Sequence, residues 1–363
     1  MPMGPRARRE AAIGARLQVA VLPALESLYP GYFALVMATG ILSVAMFRLG
    51  HPGLSDALLW TAEVAYGALL IATAARALLF RSRLAADLRD PRTVFTFFTF
   101  VAASDVLGVR LLMAGAPAAA WALGLAAGGA CAVLVYWAFG FLFLANEQPP
   151  KRVVNGGWLV SVVGTESLSI LAARLSDVAP SWAPELMLLS FALWSVGVAG
   201  YAVLITFIIG RLGFSKVQPA DLSPPYWISM GAAAISTVGG ANLLSHGGVP
   251  FLHPTVPAVY AATLALWSWA GGWIPLLVVM GVWKYGVRGL PLTYEPALWS
   301  VVFPLGMFAV ATLEVAAFTG LTFLARFARA FAWVAFAAWS LTFVGMLRAW
   351  ARRLGAGPAP ASE

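Results

Sequence analysis

The sequence predicts an all-α membrane protein of ten transmembrane helices paired into five helical hairpins. Three observations carry this. Ten long apolar stretches fill most of the 363 residues. Hydrophobic residues make up 61% of the chain and charged ones only 10%, with a mean hydropathy of +0.84. Lys and Arg collect in every second gap between the stretches. Soluble domains carry about 25% charged residues, so this composition suits a chain dissolved in lipid. A span needs about 20 apolar residues, and ten of them leave short loops and no second folded domain.

Taken in order, the first 25 residues hold Arg6, Arg8, Arg9 and Arg16, and Glu10, Gln18 and Pro23 interrupt any apolar run. They are expected to form a basic interfacial or cytoplasmic segment rather than a cleavable signal. The membrane domain is expected over 26–353. Its spans fall at about 30–49, 56–80, 93–114, 117–145, 155–177, 184–210, 224–245, 255–285, 295–320 and 326–351. The tail, 354–363, is rich in Gly, Ala and Pro and is expected to be disordered.

The charge pattern orients these spans. Arg81, Arg83, Arg89 and Arg92 fill the second gap, Lys151 and Arg152 the fourth, Arg211 and Lys216 the sixth, Lys284 and Arg288 the eighth. Arg348, Arg352 and Arg353 close the chain. Cytoplasmic loops collect Lys and Arg, so both termini are expected inside, in a multi-pass protein of the plasma membrane. A pI near 10 then reflects basic loops against anionic membrane lipid, and no nucleic-acid partner is expected. Cys131 is the single cysteine and lies within an apolar stretch, which excludes an intrachain disulfide and a thiolate metal site.

The hairpin repeat rests on proline. Each odd span starts at or just after one, at Pro30, Pro91, Pro150, Pro224 and Pro296, with Tyr32, Phe95, Trp158, Trp227 and Trp299 close behind. Proline suits a first helical turn, where its missing N–H costs nothing. The competing reading is ten independent starts, since Pro117 and Pro184 open even spans.

Candidate functional residues follow from what lipid would reject. Asp105 and Glu166 lie about 18 Å and about 17 Å along their helices at 1.5 Å per residue, near mid-membrane. Ionisable groups there face a cavity or a partner. Desolvation disfavours the charged carboxylate, so Glu166 is expected to be protonated or paired, and with Asp105 it is a candidate for proton coupling. Ser161, Thr165 and Ser169 recur on one helix face beside Glu166; they suit either a hydrated path or close helix packing. In span 9, Phe303, Met307, Val310 and Glu314 share a face, and Pro304 removes a backbone hydrogen bond and is expected to bend the helix. Phe303 reads as packing or as a plug beside that kink. Arg48, Arg110 and Arg174 stand at the outer ends of spans 1, 3 and 5, where they form either an anion-attracting collar or helix-end complements. His246 and His253 lack metal-site spacing, and no metal or other cofactor is expected. No HExxH, P-loop lysine motif or paired DxxD marks a membrane enzyme.

Two stretches resemble a known family: Pro30-Gly-Tyr-Phe-Ala-Leu-Val-Met-Ala-Thr-Gly40-Ile-Leu-Ser and Trp299-Ser-Val-Val-Phe-Pro-Leu-Gly-Met307. They are similar to the tellurite-resistance/dicarboxylate transporter family, which includes fungal malate and sulfite transporters and the slow anion channels of plant guard cells. The resemblance spans essentially the whole chain. It implies that odd helices surround a central pore and even helices stand outside, in a homotrimer with one pore per subunit. It also implies an aromatic gate at Phe303. The expected substrates are small anions: C4-dicarboxylates, sulfite, tellurium oxyanions, chloride or nitrate. Glu166 departs from the family pattern, where a neutral polar residue is expected, and so favours a second reading, a proton-coupled dicarboxylate carrier using Glu166 or Asp105. A membrane-embedded enzyme is the remote third.

Overall fold

A computed structural model describes residues 21–355. The expectations for the basic segment up to residue 20, with its four arginines, and for the tail from residue 356 lie outside the described residues. Among the described residues there is no strand, and ten helices are long and apolar enough to cross a membrane. We number them α1 (Pro30–Arg48), α2 (Pro52–Leu79), α3 (Val94–Met113), α4 (Pro117–Leu144), α5 (Gly156–Ser176), α6 (Pro180–Phe214), α7 (Pro224–Ser245), α8 (His253–Val287), α9 (Pro296–Thr319) and α10 (Thr322–Arg352). The all-helical, ten-span expectation agrees with this. α2, α6 and α10 start four residues before the apolar stretches that located them, because a helix extends into the interface until a cap stops it, whereas α4 matches its stretch to within one residue.

Odd and even helices differ in length and burial. Odd helices have 19 to 24 residues, and 67 to 89% of their apolar window is buried; even helices have 28 to 35 residues and only 17 to 33% buried. Inner helices therefore match the bilayer, and outer ones exceed the roughly 20 residues a span needs. Each odd helix packs on the even helix that follows it in the chain. The odd helices also pack on one another in the order α1–α3–α5–α7–α9 and back to α1, a closed ring of five. Each even helix touches the next odd helix as well, so it lies in the outer groove between two ring members.

Local chemistry repeats with this arrangement. Every odd helix opens with a 3-10 turn, at Pro30–Phe33, Val94–Phe97, Gly156–Leu159, Pro224–Trp227 and Pro296–Leu298. The proline lies within that turn in α1, α7 and α9, and ahead of it in α3 and α5. The α1–α2 and α3–α4 turns are built alike. Gly50 and Gly115 take φ of 82° and 81°, a left-handed cap that favours glycine. The next amide closes the turn, His51 to Met46 O at 2.9 Å and Ala116 to Leu111 O at 3.0 Å, before Pro52 or Pro117 starts the return helix.

Lipid supplies no hydrophobic drive between helices, so close packing and interhelical hydrogen bonds hold them. Even helices reach the next ring member through aromatic N–H and O–H groups. The Tyr66 and Ser104 hydroxyls lie 2.8 Å apart, Tyr201 donates to Ser229 O, Trp267 to Thr312 Oγ1, and Trp339 to Thr39 Oγ1. Within the ring, small residues allow close approach. A Cβ on Gly231 would lie 2.8 Å from Cγ of Pro304, and one on Gly306 would lie 2.9 Å from Ile41 Cγ2.

Candidate functional site

The ring encloses a cavity of about 190 Å³ at the end where α1, α3, α5 and α9 finish and α7 turns. All five odd helices border it, with Ile41 and Arg48 from α1, Asp105 from α3, Ser167 and Arg174 from α5, Asn242 from α7, and Met307, Val310 and Glu314 from α9. The volume is below the roughly 300–1,000 Å³ of sites for drug-sized ligands and suits small ions.

Its open end carries charge. Arg48 Nη1 donates to Glu314 Oε1 at 2.6 Å, and Arg174 Nη2 lies 3.8 Å from the same oxygen. Spans 1, 5 and 9 are thus tied together by charge at one membrane face. The deep end carries Asp105, fully buried. Its Oδ2 accepts from Ser167 Oγ at 2.8 Å, and its Oδ1 has no hydrogen-bond partner. Asn242, also buried, gives its Nδ2 to Val238 O at 2.7 Å and leaves Oδ1 unpartnered.

Phe303 sits one turn beyond Met307, 1% exposed. A second cavity, about 420 Å³, approaches α9 from its other end between α7, α8 and α10 and is bordered by Val301 and Val302. Met307 borders one cavity and Val302 the other, so Phe303 and Pro304 occupy the helix segment between them. Pro304 lies inside continuous α9, and its missing N–H leaves the Ser300 carbonyl without the usual helical donor. At the start of α9 the Tyr32 and Tyr294 hydroxyls lie 2.8 Å apart. Nearby, burial and then the Glu295 charge push the Tyr29 phenol up to about 12, so it stays protonated at any physiological pH.

The structure brings Arg48, Asp105, Arg174, Met307 and Glu314 to one cavity and places others elsewhere. Arg110 is not at the mouth. It is 1% exposed, gives Nε to Ser43 Oγ at 2.9 Å and Nη2 to Asp56 Oδ1 at 2.7 Å, and lies over the Phe47 ring. It ties α1, α2 and α3 together, because a buried guanidinium must satisfy its donors. The hydroxyl stripe also turns away from the cavity. Thr165 donates to Ser161 O, Ser161 to Trp158 O, and Ser169 to Ser190 O on α6.

Glu166 is wedged between α5, α6 and α7. Its Oε1 accepts from Ser236 Oγ at 2.9 Å, and its Oε2 has no partner. A Cβ on Gly197 or Gly239 would collide with this carboxyl, so both glycines make its pocket. The α5 face that does meet the cavity runs through Ser167, Ile170 and Arg174. Phasing α5 from Arg174 points to Ser167, seven residues back and in line with it; Ser169 is out of line by that measure. No comparable signal singles out Asn242. Among the described residues no group of three His, Cys, Asp or Glu could hold a metal ion.

Comparison with known proteins places this geometry in context. Residues 27–347 match the SLAC1 family profile, described as voltage-dependent anion channel. An uncharacterized membrane protein of Mycobacterium tuberculosis is 37% identical over 155 residues, 43% of this chain and 79% of that one. An uncharacterized transporter of Methanocaldococcus jannaschii is 24% identical over 336 residues, 89% of this chain and 93% of that one. A Trichophyton rubrum protein named as a sulfite efflux pump is 20% identical over 313 residues, covering 80% and 82% of the two chains.

Proposed function

The chain belongs to the SLAC1 family of voltage-dependent anion channels, and from that premise we propose that it conducts small anions along the axis of its five-helix ring. The family makes it an anion transporter or channel; the route and the substrate are our reading. The observation that carries it is a cavity bordered by all five odd helices, with Arg48 and Arg174 at its mouth. Positive charge at a mouth with low-dielectric walls concentrates anions. Weak dipoles then let them leave, since tight binding would slow conduction. Phe303, buried one turn from Met307 on α9, is the proposed constriction, and Met307 borders the axial cavity on its outer side.

Sulfite is a substrate suggested by the fungal relative's name, and C4-dicarboxylates, tellurium oxyanions, chloride and nitrate share the required charge. We place the protein in the plasma membrane with both termini in the cytoplasm, as a homotrimer with one path per subunit. A liposome flux panel comparing malate, sulfite, chloride and nitrate at two pH values tests the reading. Flux for at least one anion supports it, and none for any rejects it.

A second reading is a proton-coupled dicarboxylate carrier. Asp105 favours it, because this buried carboxyl borders the cavity and its Oδ1 is free to hold a proton. Glu166 lies off the cavity, so Asp105 is the stronger of the two. Voltage clamp separates the readings: a channel passes current linear in driving force, and a carrier saturates and follows pH.

A further inference from the structure

The mouth arginines already hold an anion, and it belongs to the protein. Glu314 Oε1 accepts a hydrogen bond from Arg48 and lies 3.8 Å from Arg174 Nη2. That second distance makes an ion pair but is too long for a hydrogen bond. Among the described residues Arg174 donates to no group, although a guanidinium offers five N–H donors. One carboxylate oxygen therefore engages one arm of one fork, and donor capacity is left over at the mouth. The arginine side chains are 30% and 35% exposed, whereas Glu314 is 13% exposed and sits between them.

We infer that Arg48 and Arg174 form a binding site for a carboxylate or oxyanion, that Glu314 occupies it as a tethered internal anion, and that an external anion gains access by displacing Glu314. This deepens the transport reading and rests on it for its physiological role, but the binding site itself can be measured without transport. The ligand class follows from geometry. Paired N–H groups of a guanidinium match two oxygens of a carboxylate or oxyanion, and a carboxylate is already seated there. A monatomic anion meets the same charge without the paired contacts. The ring does not depend on this ion pair to hold α9, which packs closely on α1 through Gly306 and on α7 through Pro304.

The test is binding of malate, sulfite and chloride to the detergent-solubilised full chain, read as anion-dependent thermal stabilisation. In Glu314→Gln the half-saturating concentration of malate and sulfite falls about two- to fivefold, the size expected on removing a competing ion pair. Chloride, without the paired contacts, half-saturates at a higher concentration than either in both proteins. Adding Arg174→Gln to Glu314→Gln abolishes the gain. Chloride half-saturating at the same concentration as malate or sulfite in Glu314→Gln would reduce the effect to a general field and overturn the site, as would an unchanged or higher midpoint in a folded variant. If Glu314→Gln fails to fold, Glu314→Asp, whose shorter reach weakens the contact with Arg48, gives a smaller shift in the same direction, and no shift overturns the inference. Absence of flux in wild-type vesicles bears only on the transport reading; flux with unaltered binding midpoints rejects this inference alone.

Discussion

Arg110 on α3 donates to Asp56 at the start of α2 at 2.7 Å, while the arginine is 1% exposed and Asp56 is 60% exposed. The pair reaches from the helix core to the membrane face, with Ser43 and Ser55 completing the donor set. Arg110→Lys keeps the charge and loses the planar fork. We expect it to destabilise the fold by on the order of 2 kcal/mol, read as a lower thermal midpoint. Anion half-saturation should stay as in the wild type; a change there with normal stability would put Arg110 back at the mouth.

Phe303 is the constriction in the proposed path. Replacing it by alanine removes a large buried ring one turn from Met307, and anion flux into vesicles should rise several-fold, with the same selectivity order at the arginine mouth. Flux equal to wild type would reject the constriction assignment and leave Phe303 as packing. In that case the main effect would be a stability loss of about 3–5 kcal/mol.

The two buried carboxyls are separable by pH. An ionised Asp105 at the deep end of the cavity would repel a passing anion. Two like charges about 4 Å apart cost about 4 kcal/mol at an effective dielectric of 20. Flux should therefore fall as pH rises through the titration of Asp105. Asp105→Asn should remove that dependence, and Glu166→Gln, off the cavity beside Ser236, should preserve it. The opposite assignment of the two phenotypes would move the coupling to Glu166.

Close packing of α7 on α9 can be measured as a coupling. Gly231→Val places methyl groups against the Pro304 ring and should cost about 1–3 kcal/mol. In a Pro304→Ala background, which removes most of that ring, the same substitution should cost less. Additive costs in the double-mutant cycle would show that the two residues do not meet.

How much was legible in the chain depended on what each residue needed locally. Span number, order and type follow from apolar runs that lipid accepts in only one way. The Met307, Val310, Glu314 face of α9 could be phased because its members are acidic or bulky at helical spacing. The Ser161, Thr165, Ser169 stripe left both a hydrated path and helix packing open, because a hydroxyl in a helix can satisfy itself on its own carbonyls, as Ser161 and Thr165 do. Such a stripe does not dictate where it points. The position of Arg110 was open because a helix-end arginine can turn inward as readily as outward, and the inward partners Ser43, Ser55 and Asp56 come from two other helices.

The sequence by itself determined the solvent, the ten helices and the alternation of basic loops, since each depends on the transfer of single segments between water and lipid. The family resemblance carried by Pro30–Ser43 and Trp299–Met307 was legible there too. Only the tertiary structure decided the rotation of each helix. It gathered Arg48, Arg174 and Glu314 onto one oxygen, set Asp105 in the cavity, and sent Glu166 between α5, α6 and α7. Rotation is settled by contacts between segments far apart in the chain, such as Gly231 against Pro304, and no single helix contains that information.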